Sequence, residues 1–166
     1  MGGGQVMNKE DQVLIGFRDI YNKMVWLNKY KMEDSLKDYK SSEVHCIEYI
    51  GKNNDSNVTK LAESLYMTRS AISKIMKRLM SKGIIESYQK PENKKEIYFC
   101  LSEQGKEVYK IHEDLHQEFR ERDKAGFEQI SQEQYDIMLN FIDKYSRHLD
   151  EEIKKQGIDI KEEKFN

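Results

Sequence analysis

Cations and hydroxyl groups concentrate in one part of this chain, between Lys52 and Lys95. Ten basic residues stand there against four acidic ones, so the segment carries +6, whereas the whole chain carries −2 and the remainder therefore −8. Phosphate groups attract such a segment, and an acidic remainder opposes non-specific adhesion. The charge distribution therefore predicts a face that binds the backbone of a nucleic acid.

The stretch from Thr68 to Lys82 contains no acidic residue. Ile72, Ile75 and Leu79 have the spacing of an inward helix face, which leaves hydroxyls and cations on the outward face. Arginine and lysine pair with guanine edges or phosphates, and serine can bind to base edges or to phosphates. Lysines on a following turn can contact phosphates or the minor groove. The predicted DNA-contact residues are Thr68, Arg69, Ser70, Ser73, Lys74, Lys77, Lys90, Lys94 and Lys95.

A second chemical candidate is the pair His112 and His116, whose spacing puts both imidazoles on one helix face. Such a pair suits a tetrahedral metal such as zinc. The same spacing also arises by chance, and the flank of an apolar helix stripe often holds an ordinary histidine. The spacing of the two histidines therefore does not decide between a metal site and a protein that binds no metal.

Two short helices and a hairpin must position the basic residues. Ser56 or Asn57 can cap a first helix, and after a break at Tyr66-Met67, Thr68 can cap a second one. Gly83 then marks a stop before a hairpin. The predicted helices are 58–65 and 69–82, the strands 84–88 and 96–101, and the turn 91–95. This order predicts a winged helix-turn-helix over about residues 41–102.

Amphipathic helices flank that unit on both sides. Residues 9–30 carry apolar side chains at helical spacing, and Ser41 or Ser42 can cap a shorter helix after an irregular stretch at 32–40. Ser102 can cap a helix that continues past Phe119. The sequence Ser131-Gln132-Glu133-Gln134 has the spacing of a capping box and precedes an apolar stripe over 135–153. The predicted fold class is mainly α with a small β-hairpin wing.

The first and last apolar stripes are too long for one small winged domain to cover, so we expect a homodimer formed through helices at about 9–30 and 103–156. A two-fold dimer would bind a pseudo-palindromic operator in double-stranded DNA. The predicted domain spans 9–156, preceded at 1–8 by a flexible start or a cloning remnant and followed at 157–166 by a charged tail. No apolar run approaches the roughly 20 residues needed to cross a bilayer, and we expect a cytoplasmic protein without membrane contact.

Several short motifs together resemble the MarR family over about residues 9–155. They are Val58-Thr59-Lys60-Leu61-Ala62-Glu63, Ser70-Ala71-Ile72-Ser73-Lys74, Leu79 with Gly83 four residues later, and Leu101-Ser102-Glu103-Gln104-Gly105. The resemblance implies a winged helix whose terminal helices knit a dimer, and a transcriptional regulator, with a repressor as the first expectation. The chain departs from the family at Asn93-Lys94, where an Asp-Arg pair is common, so the usual ion pair inside the wing is in doubt.

The resemblance extends to the zinc-responsive AdcR/ZitR-like branch, which has histidines at positions corresponding to His45, His112 and His116. No acidic residue matches that branch's fourth ligand cleanly. Glu33 is the candidate, with Glu43 and Cys46 behind it. The resemblance thus implies zinc as an effector, and no cofactor is expected to be required. A regulator that binds no metal stays open as the alternative.

The sequence also bears on other effectors and other functions. Relatives in the family often bind small aromatic or lipophilic ligands, for which Trp26, Tyr30, Tyr39 and Tyr49 are candidates, although such residues are more often core or interface. Oxidation of Cys46 is a weaker alternative. A metal hydrolase is disfavoured because no His-Glu-x-x-His motif, nucleophile elbow or phosphate loop is present, so we expect no enzyme. A winged helix used only for protein contacts would not need the basic segment.

Overall fold

The computed structural model describes residues 8–155 and divides into two compact units, one up to Asp38 and one from Tyr39 onward. The predicted charged tail and all but one residue of the predicted flexible start lie outside the described residues. Each unit is organised around its own helices. No helix among the described residues is long and apolar enough to span a membrane.

The first unit is built on one helix, α1, which spans Lys9–Ser35. It begins where the side chain of Asn8 accepts a hydrogen bond from the Asp11 backbone N–H at 2.7 Å. The prediction that residues 32–40 are irregular was wrong for 32–35, because neither glycine nor proline interrupts the helix there and Leu36 N still donates to Met32 O at 3.0 Å. None of the residues of α1 is buried.

The second unit opens with α2, Ser41–Lys52. The prediction that Ser41 or Ser42 caps this helix was wrong, because Lys40 occupies the capping position and both serines lie inside the helix. Glu43 explains the difference. Its Oε2 accepts the Lys40 backbone N–H at 2.9 Å, as the N3 side chain of a capping box does, so the helix begins directly after Lys40.

The helix-turn-helix consists of α3, Val58–Leu65, and α4, Arg69–Ser81. Asn57 caps α3 and Thr68 caps α4, each accepting from the backbone N–H three residues on. Tyr66 ends α3 in the left-handed conformation, at φ 51°. The predicted boundaries and both predicted caps are confirmed within a residue.

A two-stranded antiparallel hairpin follows, formed by β1, Ile85–Lys90, and β2, Asn93–Leu101. The predicted turn at 91–95 was too long. Lys90 pairs with Asn93, so the chain reverses at Pro91-Glu92, and the Asn93 side chain accepts the backbone N–H groups of Lys95 and Glu96 at 3.3 Å each. Lys94 and Lys95 therefore lie on β2 next to the turn.

Two helices complete the second unit: α5, Glu103–Asp123, and α6, Gln132–Lys155. The predicted cap Ser102 is confirmed, since its Oγ accepts the Gly105 N–H at 3.0 Å. Gly105 must be glycine, because a Cβ there would meet the carbonyl oxygen of Ile84 at 2.0 Å. The capping box before α6 is also confirmed, with Ser131 and Gln134 bonded reciprocally.

The core of the second unit lies between α2, the helix-turn-helix, the hairpin and α5. Its largest fully buried apolar side chains come from these elements and are Ile47, Leu61, Ile72, Met76, Leu79 and Ile84. By contrast, α6 contributes no buried residue. The fold class predicted from the sequence, mainly helical with a hairpin wing, is confirmed.

Candidate nucleic-acid interface and metal cluster

The outward face of α4 is the first candidate interface. The predicted inward stripe is confirmed, since Ile72, Ile75 and Leu79 are at most 3% exposed. The predicted contact residues on the opposite side divide into the exposed Ser70, Lys74 and Lys77 and the half-buried Thr68, Arg69 and Ser73. The hydroxyl of Thr68 is engaged as the helix cap, with the Ala71 N–H at 3.2 Å. Two lysines and the serine Ser70 are therefore the exposed members of this face.

The hairpin places its three predicted lysines in two different environments. Lys94 and Lys95 are exposed beside the turn. Lys90 instead donates to Asp55 Oδ2 at 2.7 Å and lies 5.1 Å from the centre of the Tyr98 ring. Its charge is thus already compensated within the protein, which distinguishes it from its two neighbours.

A buried carboxylate joins α2 to α4 and to the residue that caps its C-terminus. Glu43 is 1% exposed, and it accepts from Arg78 Nε at 3.2 Å and from Lys82 Nζ at 3.0 Å. Burial acts to raise the pKa of Glu43, but the Lys40 backbone hydrogen bond and the Lys82 ammonium outweigh it and hold that pKa below its ordinary value. Both cations are thus paired with Glu43 within the protein, although their side chains are still 45% and 37% exposed.

A cluster of two imidazoles and one carboxylate lies where α2 meets α5. One potential ligand atom from each of Glu48, His112 and His116 lies within 4.8 Å of the others. The Nε2 atoms of the two histidines are 3.0 Å apart, and Glu48 Oε2 lies 3.9 Å from His112 Nε2. Two histidines and a glutamate form a donor set that zinc accepts. We call these three residues the metal cluster.

The electrostatics of the metal cluster favour a cation. Burial and the neighbouring His116 lower the pKa of His112, so its ring is neutral and available as a ligand at neutral pH. Burial acts to raise the pKa of Glu48, yet the hydrogen bond and charge of Lys52 outweigh burial, bring that pKa below its ordinary value and keep the carboxylate ionised. The Nδ1 atom of His112 is buried and has no hydrogen-bond partner among the described residues. The residues therefore fit a divalent metal.

Two other predicted ligands, His45 and Glu33, are not members of the metal cluster. His45 is on α2, with its Nδ1 4.0 Å from Glu48 Oε2 and its Nε2 3.3 Å from Ser41 Oγ. Glu33 belongs to the first unit, where it pairs with Lys29 at 3.8 Å. Sequence reasoning missed Glu48. Its position three residues after His45 on the same helix was the available signal, but only the packing of α2 on α5 brings it to the histidine pair.

The alternative effector residues also divide between the units. Trp26 and Tyr30 lie on α1 and are 77% and 80% exposed, whereas Tyr39 and Tyr49 are half-buried in the second unit. Cys46 is fully buried, and burial together with Glu43 raises the pKa of its thiol to about 12. A thiol of that kind is a poor nucleophile, which argues against redox sensing at Cys46.

The sequence matches the pattern of the MarR family over residues 40–97, the part of the chain that holds α2, the helix-turn-helix and the hairpin turn. This stretch of the chain is therefore similar to the MarR family. Among curated relatives, this chain is 27% identical over 148 residues to the HTH-type transcriptional regulator PchR of Bacillus subtilis, covering 81% of this chain and 88% of PchR. The family and this relative support the prediction of a DNA-binding transcriptional regulator rather than an enzyme.

Solved structures share the fold at low sequence identity. Streptococcus pneumoniae FabT in complex with DNA aligns at TM-score 0.72 and 20% identity over 86% of this chain and 99% of FabT. Staphylococcus aureus MarR in complex with salicylate and kanamycin aligns at 0.71 and 19%, over 86% and 93%. The adhesin competence repressor AdcR of Streptococcus pyogenes aligns at 0.64 and 17%, over 86% and 98%. At these identities the likeness concerns the MarR fold alone.

Proposed function

We propose that this protein is a MarR-type, sequence-specific regulator of transcription that binds double-stranded DNA as a homodimer and responds to a divalent metal, with zinc as the first choice. The observation that carries the DNA-binding part is the acid-free outward face of α4, where Ser70, Lys74 and Lys77 are exposed. A recognition helix with this chemistry suits the major groove. FabT, a protein of the same fold, was crystallised with DNA.

The homodimer is supported by apolar surface that the single chain leaves uncovered. In the second unit, α6 exposes Ile137, Leu139 and Ile142 at 62%, 61% and 49%. In the first unit, α1 exposes Phe17, Ile20 and other apolar residues by 42% or more. Helices that expose this much apolar area are normally covered by a partner. Two copies would then present two α4 helices to successive turns of DNA.

The metal response is supported by the metal cluster. Glu48, His112 and His116 would hold the ion, and His45 on α2 is the nearest candidate for a further ligand. This assignment replaces Glu33 with Glu48 as the acidic ligand. A metal there would tie α2 to α5. Since α2 also carries Glu43, which binds Arg78 of α4 and Lys82 directly after it, the metal would favour one position of α4.

A small aromatic ligand is the second candidate effector. S. aureus MarR, which shares the fold, was crystallised with salicylate. In this chain the half-buried Tyr39 and Tyr49 are the aromatic residues of the second unit that would be tested first. We expect the protein to act as a repressor whichever effector it binds, because a dimer bound across a promoter would exclude RNA polymerase.

The test is fluorescence anisotropy of chelator-treated protein on DNA from upstream of its own gene, at fixed salt, with and without zinc. We expect zinc to tighten binding by fivefold or more, roughly the lower end of allosteric couplings. The effect should vanish in Glu48→Gln and in His112→Ala/His116→Ala, and persist in the control Glu33→Gln. Specific binding that ignores zinc would reject the metal and move the search to salicylate-like ligands. Loss of the response in Glu33→Gln alone would reject Glu48 as the ligand.

A further inference from the structure

The hairpin is fastened to the loop between α2 and α3 through one carboxylate. Asp55 sits in that loop in the left-handed conformation, at φ 55°. Its Oδ1 accepts the Tyr88 hydroxyl at 2.9 Å, and its Oδ2 accepts the Lys90 ammonium at 2.7 Å. Both donors lie on β1, so a single side chain outside the wing holds two residues of the wing. We call Asp55, Tyr88 and Lys90 the wing clamp.

Neighbouring contacts reinforce the wing clamp. Tyr88 and Tyr98 pair across the two strands with ring centres 5.6 Å apart, and the Lys90 ammonium lies over the Tyr98 ring. Beside them, the Phe99 backbone N–H donates to Ser56 O at 2.8 Å, which adds a strand-like bridge from the loop to β2. The wing therefore meets the loop through both side chains and backbone.

The wing clamp takes the place of an ion pair within the wing. The position after the turn is Asn93, whose side chain accepts two backbone N–H groups and carries no charge. The charged pair that restrains the hairpin is instead Asp55 with Lys90, whose side chains are only 36% and 30% exposed. Partial shielding from solvent makes such a pair more effective than a fully exposed one.

We propose that Asp55 is a positioning residue for DNA binding, which holds the wing through Lys90 and Tyr88 so that Lys94 and Lys95 face the phosphate backbone. This inference rests on the proposed DNA-binding function. It reassigns Lys90 from a direct DNA contact, as the sequence suggested, to a residue that acts through Asp55.

The two roles of Lys90 predict opposite effects for Asp55→Asn. If Lys90 contacts phosphate directly, Asp55 competes with the DNA, so removing its charge leaves affinity unchanged or raises it. If Asp55 positions the wing, removing its charge weakens binding although the protein becomes more positive. Asparagine tolerates the left-handed conformation, so the substitution changes the charge without straining the loop.

The experiment measures operator affinity over a range of salt for Asp55→Asn, Lys90→Met and the double variant. We expect each single change to weaken binding about three- to tenfold and the double variant to be no weaker than either, because both remove the same interaction. The matched control is Lys94→Met, which should lower the salt slope by about 1 per subunit and add to Asp55→Asn. Lys90→Met should leave the salt slope unchanged.

Hydrogen exchange of the free protein provides a readout without DNA. Amides of residues 86–99 should exchange about threefold faster or more in Asp55→Asn and Lys90→Met, and those of α4 should not change. Unchanged exchange in both variants, or tighter DNA binding by Asp55→Asn, would overturn the clamp while leaving the proposed function intact. A wild-type protein that selects no DNA sequence would overturn the proposed function and the positioning role with it.

Discussion

At the scale of single residues, the same side-chain type has different roles according to its neighbours. Lys94 is exposed beside the turn, whereas Lys90, four residues earlier, is paired with Asp55 at 2.7 Å. Arg78 and Lys82 likewise belong to the basic segment, but Glu43 engages both of them. The ten basic residues of the segment are therefore not equally available to phosphate.

Arg69 and Lys94 should affect DNA binding in different ways. Arg69 lies at the start of α4, the end of a recognition helix that meets base edges, so Arg69→Ala should relax the preference at one base position and cost about 1–3 kcal/mol on the best operator. Lys94→Ala should weaken all DNA sites alike. Affinities for a panel of single-base operator variants separate the two outcomes.

The reverse pattern would contradict these roles. If Lys94→Ala changed the ranking of the operator variants while Arg69→Ala lowered all affinities equally, the wing rather than α4 would read the sequence. Lys110→Ala is a suitable control, because Lys110 is an exposed cation on α5 away from both the hairpin and α4 in sequence, and it should alter neither property.

At the scale of elements, the hairpin depends on a close approach between the start of β1 and the start of α5. Ile84 O accepts the backbone N–H and the hydroxyl of Ser102, each at 3.0 Å, and Gly105 lies against the same carbonyl. Helix α5 also carries His112 and His116 of the metal cluster. The wing therefore contacts the first turn of the helix whose middle carries the two histidines of the metal cluster.

Gly105→Ala should destabilise the fold strongly. A Cβ at this position would meet Ile84 O at 2.0 Å, and because that atom belongs to the backbone, the strand or the helix must shift. We expect a loss of about 2–3 kcal/mol, as for other overpacked sites, seen as a fall of roughly 5–10 °C in Tm. Thermal unfolding followed by circular dichroism measures it at matched protein concentration.

Gly126→Ala is the control for that measurement. A Cβ at Gly126 would meet no atom within 4 Å, so the substitution should leave Tm within about 2 °C of the wild type. Equal Tm values for the two alanine variants would show that α5 and β1 can move apart at little cost. They would contradict the requirement for glycine at position 105.

At the scale of the whole molecule, α1 and α6 each leave an apolar face exposed to solvent in the single chain. The helix α6 has no buried residue, although it carries Ile137, Leu139, Phe141 and Ile142. Burial of one such side chain contributes about 1.5–3 kcal/mol, so a partner that covers several of them gains enough for stable association.

Ile142→Glu should therefore shift the protein toward monomers. A carboxylate placed in an apolar interface would lose its hydration without gaining a partner. Sedimentation velocity should show a dimer for the wild type and for the control Asn140→Glu, which adds the same charge at an exposed polar position of α6, and a smaller species for Ile142→Glu. A monomeric wild type would contradict the proposed homodimer.

The sequence by itself determined the elements whose signals are local. The caps Asn57, Thr68 and Ser102 and the stop at Gly83, which has a φ of 71°, were predicted correctly because each depends on bonds or backbone angles within three or four residues. The inward stripe of α4 followed from helical spacing in the same way. The family resemblance depended on these local motifs and was supported by the match over residues 40–97.

The tertiary structure decided which residues meet across elements. Glu48 lies beside His112 although 64 residues separate them in the chain, and Asp55 pairs with Lys90 across 35 residues. The spacing of residues within one segment predicts neither contact. The cap of α2 is an exception among the local signals, because Lys40, which is not a usual capping residue, precedes the helix and donates its N–H to Glu43. Local hydrogen bonding is readable along the chain, whereas the pairing of distant charges depends on how the helices pack.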